Sequence, residues 1–306
     1  MISKFPIYVT RPYLASLEEY IPMLKEIWSS NILTNGGQYV NEFEALLGEK
    51  FKAKHAVTFP SGTTALHAAI KSLKVKGEII TTPFTWIATI TAIKLESCEP
   101  VFCDIDKETF NLDASKLENH ITPNTKAIMP VHVFGNPCNV NEIELIAKKY
   151  DVPVIYDAAH SVGSKVGQTS VLNFGDASAV SFHATKIINT GGEGGAVFTS
   201  DDFLAKNLKR VRFFGYNEDK TDIVENGLNG KLSEIQSSLG ILNLKVLDQI
   251  INQRKNKYSL YINNLKNIDS LKFQKFSYGE PNYSYFPIIF QNEKSLIKIT
   301  EALNKQ

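Results

Sequence analysis

Residues 180–199 read VSFHATKIINTGGEGGAVFT. An apolar strand runs into Ser-Phe-His-Ala-Thr, a lysine follows at Lys186, and a glycine-dense turn leads into a second apolar strand. A surface lysine needs no such setting; a lysine that must reach a buried partner does. The run GGEGG imitates a dinucleotide fingerprint. That motif, however, opens a long helix and has an acid about 20 residues further on, whereas a strand follows here. The glycines are expected to reverse the chain and to bring backbone close to a ligand.

Upstream, strand and helix patterns alternate. HAVTF, GEIITTP, EPVFCDID, TKAIMPVHVFG and VPVIYDAA read as strands, separated by the helical SGTTALHAAIKSL, TWIATITAIKLE, DASKLENHI and NVNEIELIAKKY. Asp113 or Ser115 would cap the third of these helices. The strands are nearly continuous apolar runs, as in a parallel sheet covered on both faces. The fold class is therefore α/β, a three-layer, mostly parallel sheet preceded by an arm and two helices. Ligands of such sheets sit beyond the carboxyl ends of the strands. Downstream, residues 231–267 form a long helical stretch with Gly240 as a weak point; NYSYFPIIF then reads as a strand and KSLIKITEALNKQ as a helix. We expect a large domain over 1–240 and a small, shortened α+β domain over 241–306.

Composition excludes several function classes. With 33 basic and 32 acidic residues the net charge is +1, which gives no global attraction for nucleic acid or an anionic membrane. The three cysteines, Cys98, Cys103 and Cys138, suit neither a disulfide framework nor a zinc site. No apolar run reaches the roughly 18 residues of a membrane span, and the first residues lack a signal-peptide pattern. The cytoplasm is the expected compartment.

The strand ends carry the chemistry. Ser61-Gly62-Thr63-Thr64 opens a helix, where free N–H groups and the helix dipole favour an anion; a plain cap is the ordinary alternative. Asp157 ends a buried strand, where an acid is costly without a partner, and His160 follows three residues on. Trp86 can stack on a flat ligand or simply pack in the core. Ser181 and His183 precede the lysine. Together these groups describe one ligand: a phosphate, a flat ring, a ring nitrogen that takes an anionic partner, and an aldehyde that takes an amine. Pyridoxal phosphate has all four, and Lys186 would form the Schiff base with it.

The ordered set SGTTAL, TTPFTWIAT, PVFCDID, PVHVFG, VIYDAAHSVG, SFHATK, GEGGAV and NGKLSEIQSSLGILNLK resembles the DegT/DnrJ/EryC1/StrS family of sugar aminotransferases over nearly the whole chain. The resemblance implies the aspartate-aminotransferase-like fold and position-specific roles. Lys186 matches the cofactor lysine, Asp157 the acid on the ring nitrogen, and His160 the residue near the ring hydroxyl. Trp86 matches the stacking aromatic, and Gly62, Thr63 and Ser181 the phosphate cradle. Asn229 matches an asparagine that reaches the phosphate from the neighbouring subunit, so a homodimer with shared sites is implied. Also implied are glutamate as amino donor and a nucleotide-linked keto sugar, dTDP-4-keto-6-deoxyglucose, as acceptor. A 3-keto sugar is an alternative. Sugar dehydratases on this scaffold carry histidine in place of the lysine, and Lys186 argues against that chemistry. A non-catalytic remnant is the reading from another class, motivated by the short C-terminus and opposed by the cofactor set upstream.

Overall fold

The structure is a computed structural model that describes residues 8–305; the stretch read for a signal peptide falls in large part on residues 1–7, outside the described residues. Helices α1 (Leu17–Ser30) and α2 (Gln38–Phe51) precede strand β1 (His55–Phe59) and helix α3 (Gly62–Ser72). Then come β2 (Glu78–Thr81), α4 (Ile87–Leu95), β3 (Glu99–Phe102), α5 (Ala114–Leu117), β4 (Thr125–Ile128), α6 (Val140–Tyr150) and β5 (Ile155–Asp157). A two-residue hairpin, β6 (Lys165–Val166) and β7 (Thr169–Ser170), leads to β8 (Ala177–Ser181), β9 (Gly195–Thr199) and α7 (Asp202–Arg212). Helices α8 (Glu234–Lys245) and α9 (Leu247–Leu265), the pair β10 (Leu271–Phe273) and β11 (Ile288–Phe290), and α10 (Glu293–Leu303) follow.

Two hydrogen-bonded groups, β1-β9-β8-β5 and β3-β2-β4, are joined by the parallel bridges Ile128–Val154 and Val131–Asp157. The result is one mixed sheet in which β9 alone runs antiparallel to its neighbours β1 and β8. Side chains alternate across it as the strand period of two requires. Phe198 of β9 and Val180 of β8 face Phe43, Phe51 and Ile241 of α2 and α8; Val197 and Ala179 face Leu204 and Leu208 of α7. Both faces are dry, which explains why the strands read as unbroken apolar runs.

The structure sharpens several sequence expectations. Asp113, not Ser115, caps α5, but the helix is a single turn followed by a 3-10 turn; Pro123 disfavours helical geometry in the residue before it. The long helical stretch breaks at Val246 rather than at Gly240. Gly240 lies inside α8, where a Cβ would come within 2.7 Å of Phe43 and 2.9 Å of Thr190, so it is a close-packing position. Of NYSYFPIIF, only Ile288–Phe290 is strand; Pro287 has no N–H to give a ladder, and Asn282–Phe286 is irregular. Helix α2 has no side-chain cap of its own at Gly37. Glu234, buried at the start of α8, supplies one by accepting from Tyr39 N–H (2.7 Å) and Val40 N–H (3.2 Å). A carboxylate on a helix N-terminus also complements its dipole.

Candidate active site

Lys186 lies on the connection from β8 to β9, beyond the carboxyl end of β8. The connection closes on itself: Phe182 N–H donates to Gly194 O (2.7 Å), Ala184 N–H to Gly192 O (2.8 Å) and Thr190 Oγ1 to Glu193 O (2.6 Å). Gly191 and Gly192 hold positive φ of 84° and 142°, and a Cβ on Gly194 would collide with Thr190 Oγ1. The glycines therefore reverse the chain, as expected. Their close approach to another backbone is to α3: a Cβ on Gly195 would sit 2.6 Å from Ser61 O and 2.8 Å from Gly62 N. Lys186 is half-buried. Burial pulls its pKa below the usual lysine value, while the charges of Asp157 and Glu193 pull the other way.

Asp157, 4% exposed, ends β5. Thr89 Oγ1 donates to its Oδ2 (2.6 Å) and Ala159 N–H to its Oδ1 (3.1 Å). Burial raises its pKa; Thr89, Ala159 and the charge of Lys186 counter this in part. His160 is pushed down to about 3 by burial and then by the Lys186 charge, so its ring is neutral at physiological pH. The ring lies parallel to Phe134, at 4° and 6.2 Å, and 4.9 Å from the Tyr285 ring.

The third part is the N-terminus of α3. Ser61 caps it, taking Thr64 N–H on its side chain (3.1 Å) and Ala65 N–H on its carbonyl (3.0 Å). Gly62 and Thr63, whose N–H groups Ser61 does not take, remain for a ligand. Gly62 faces Ser181: a Cβ there would lie 2.8 Å from Ser181 Cβ, so only glycine leaves the space open. Trp86 is 76% exposed, which removes core packing as its role. It precedes α4, three residues before the Thr89 that holds Asp157. Asn229 pairs with Phe213 and accepts from Lys231 Nζ (2.6 Å) rather than bonding to this cluster.

These residues fit pyridoxal phosphate on the structure's own terms. Asp157 is a buried carboxylate with hydrogen-bond donors but no ion pair among the described residues, which suits a cationic ring nitrogen. Gly62 opposite Ser181 leaves a small cradle at a helix N-terminus, which suits a phosphate.

Sequence reading missed Thr89, Phe134, Glu193 and Tyr285. Thr89 had a signal, since it lies one helical turn beyond Trp86. Tyr285 had none, because its segment read as a strand. Phe134 adopts a left-handed φ of 58°, a strain seldom borne by an aromatic residue and common near functional sites.

Comparison with known proteins finds relatives over most of the chain. The profile of the DegT/DnrJ/EryC1/StrS aminotransferase family matches residues 15–306. The chain is 42% identical over 293 residues to a dTDP-4-amino-4,6-dideoxy-D-glucose transaminase of Shigella dysenteriae, covering 94% of this chain and 78% of that one. It is 39% identical over 291 residues to the Escherichia coli protein of the same name, covering 93% and 76%. Among solved structures, DesI in the presence of its TDP-sugar product superposes with a TM-score of 0.91 at 29% identity, covering 98% of this chain and 77% of DesI. Helicobacter pylori PseC, an aminotransferase involved in the biosynthesis of pseudoaminic acid, superposes at 0.89 and 29% identity, covering 97% and 82%.

Proposed function

Because the chain belongs to the DegT/DnrJ/EryC1/StrS aminotransferase family, we propose that it transfers the amino group of glutamate to dTDP-4-keto-6-deoxyglucose. The chain is a pyridoxal-phosphate-dependent aminotransferase of the nucleotide-sugar family. The choice of sugar is carried by a single observation, that two relatives of about 40% identity bear the name of one sugar specificity. The amino sugar would serve surface-glycan assembly such as an O-antigen. Three buried free cysteines suit a reducing, cytoplasmic setting.

When bound, pyridoxal phosphate supplies an aldehyde for amines and a ring that withdraws electrons. Lys186 would hold the aldehyde, Asp157 the ring nitrogen, His160 the ring hydroxyl and Trp86 a ring face. Gly62, Thr63 and Ser181 would hold the phosphate, with Asn229 of the neighbouring subunit. The chain's own contribution is then clear in outline. Burial favours the neutral amine of Lys186, the form that can attack a carbon and accept a proton at Nζ. Thr89 and the Ala159 N–H favour the ionised Asp157 carboxylate, countering in part the burial that raises its pKa. Neutral His160 adds no positive charge beside Lys186.

The test uses purified protein with pyridoxal phosphate. Excess glutamate should bleach the visible band of the bound cofactor, and the product formed with dTDP-4-keto-6-deoxyglucose should contain nitrogen at carbon 4. Nitrogen at carbon 3, or a deoxy product without nitrogen, would overturn the proposal.

A further inference from the structure

Asn282 is fully buried although it belongs to the C-terminal part of the chain. Its Nδ2 donates to the carbonyls of His160 (2.6 Å) and Val162 (2.8 Å), and its Oδ1 accepts from Ser284 N–H (3.1 Å). Its own N–H donates to Ser164 Oγ (3.1 Å), which in turn donates to Gly135 O (2.7 Å). One residue thus grips the 160–164 loop directly and the 133–135 turn through Ser164. Gly135, at a φ of +81°, makes room for this: a Cβ there would collide with Asn282 Oδ1 and approach His160 O to 2.8 Å.

The 133–135 turn and the segment of Asn282 itself carry the wall of one imidazole. Phe134, next to Gly135, lies parallel to the His160 ring, and Tyr285, three residues after Asn282, closes on it from another side. Phe134 and Tyr285 also touch, at 5.5 Å. Arg254 Nη1 holds Ser284 O at 2.9 Å, between Asn282 and Tyr285.

We infer that Asn282 is a positioning residue for His160: by clamping the His160 and Val162 carbonyls it sets the imidazole between Phe134 and Tyr285. This rests on the cofactor role assigned to His160 above. The chemistry requires an amide. Two carbonyl oxygens face the side chain, so both of its N–H groups are used, and an isosteric carboxylate would meet them with no donor at all, at a fully buried position.

The experiment compares full-length wild type with Asn282→Asp and Asn282→Ala, each also combined with His160→Ala. The first readout is the His160 imidazole resonance by NMR, which does not depend on turnover. In wild type it should stay flat between pH 5 and 8; in Asn282→Asp it should titrate in that window, as the ring loses its buried seat. The second readout is transamination. Asn282→Asp should lower kcat about 10- to 100-fold, the effect of a misplaced catalytic group, with the donor KM nearly unchanged. In the His160→Ala background the same change should cost less than about threefold, because residues acting through one another are not additive. An unmoved resonance, or an equal loss in both backgrounds, would overturn the inference. Should Asn282→Asp fail to fold, Ser164→Ala keeps both Nδ2 bonds of the clamp and removes the hydroxyl that accepts from Asn282 N–H and donates to Gly135 O. It should produce a smaller shift of the same resonance in the same direction, and no shift would overturn the inference. If wild type itself fails to transaminate, the NMR arm still reads the positioning, and it is the proposed function that fails.

Discussion

Lys186 experiences two opposed influences. Burial takes its proton away, and the carboxylates of Asp157 and Glu193 hold the proton on. Removing one carboxylate therefore has a definite sign: Glu193→Gln should lower the Lys186 pKa further. In cofactor-free protein, modification of Lys186 by an amine-reactive reagent should then set in at lower pH than in wild type; an onset at the same or higher pH would refute this. Asp157 gives the complementary case. Thr89 donates to its carboxylate at 2.6 Å and so lowers a pKa that burial has raised. In Thr89→Val the carboxyl should become still more easily protonated and grip a cationic ring less well. A hydrogen bond to a charged group is worth about 1.5–3 kcal/mol, so the cofactor Kd should rise about 10- to 100-fold in a spectroscopic titration.

Among the elements, α3 and α4 are latched by Glu96, which is buried just past the end of α4. It accepts from His67 Nε2 (2.7 Å), Lys71 Nζ (3.0 Å) and Lys76 Nζ (3.2 Å). Burial raises its pKa, but the bonds from Lys71, His67 and Lys76 outweigh that and hold it below the usual glutamate value. A carboxyl depressed in the folded state stabilises above its unfolded pKa of about 4.5 and loses that contribution as pH falls through the folded value. Glu96→Gln should thus cost about 1–3 kcal/mol in urea unfolding at pH 7, and less below pH 4.5. A penalty independent of pH would point to packing instead. The element pattern itself was legible in the sequence, because strands dry on both faces and helices with one apolar stripe leave unmistakable periods. Lys186, Asp157 and the Ser61–Thr64 turn stood out too, since each follows a strand end in a setting with few ordinary uses. Thr89 and Asn282 were hidden for a physical reason: each acts through a contact across tens to more than a hundred residues of chain, and a hydroxyl or amide has no local signature. Gly240 misled because a glycine reads as a break, whereas here it answers the bulk of Phe43.

On the scale of the whole molecule, Asn229 bonds to Phe213 and Lys231 rather than to the site residues of its own chain. Helix α1 and the turn after it expose Leu17, Ile21, Trp28, Ile32 and Leu33, apolar surface that suits a second copy. Both facts support the proposed homodimer with shared sites, and subunit mixing tests it. Lys186→Ala and Asn229→Ala homodimers should each be impaired, yet heterodimers of the two should regain activity, since one of their sites holds both native residues. No recovery would place Asn229 in its own subunit's site or in none. The antiparallel β9 has a consequence of a different kind. It inserts between β1 and β8, pairing Phe59 with Gly195 and His55 with Thr199, about 140 residues apart in the chain. On the ribosome, β1 must therefore wait for its partner through roughly 7–28 s of elongation at 5–20 residues per second. For that interval the nascent chain carries an unpaired apolar strand, a natural client for chaperones, and slowing translation between codons 60 and 195 should lower the yield of native enzyme without altering a single residue of it.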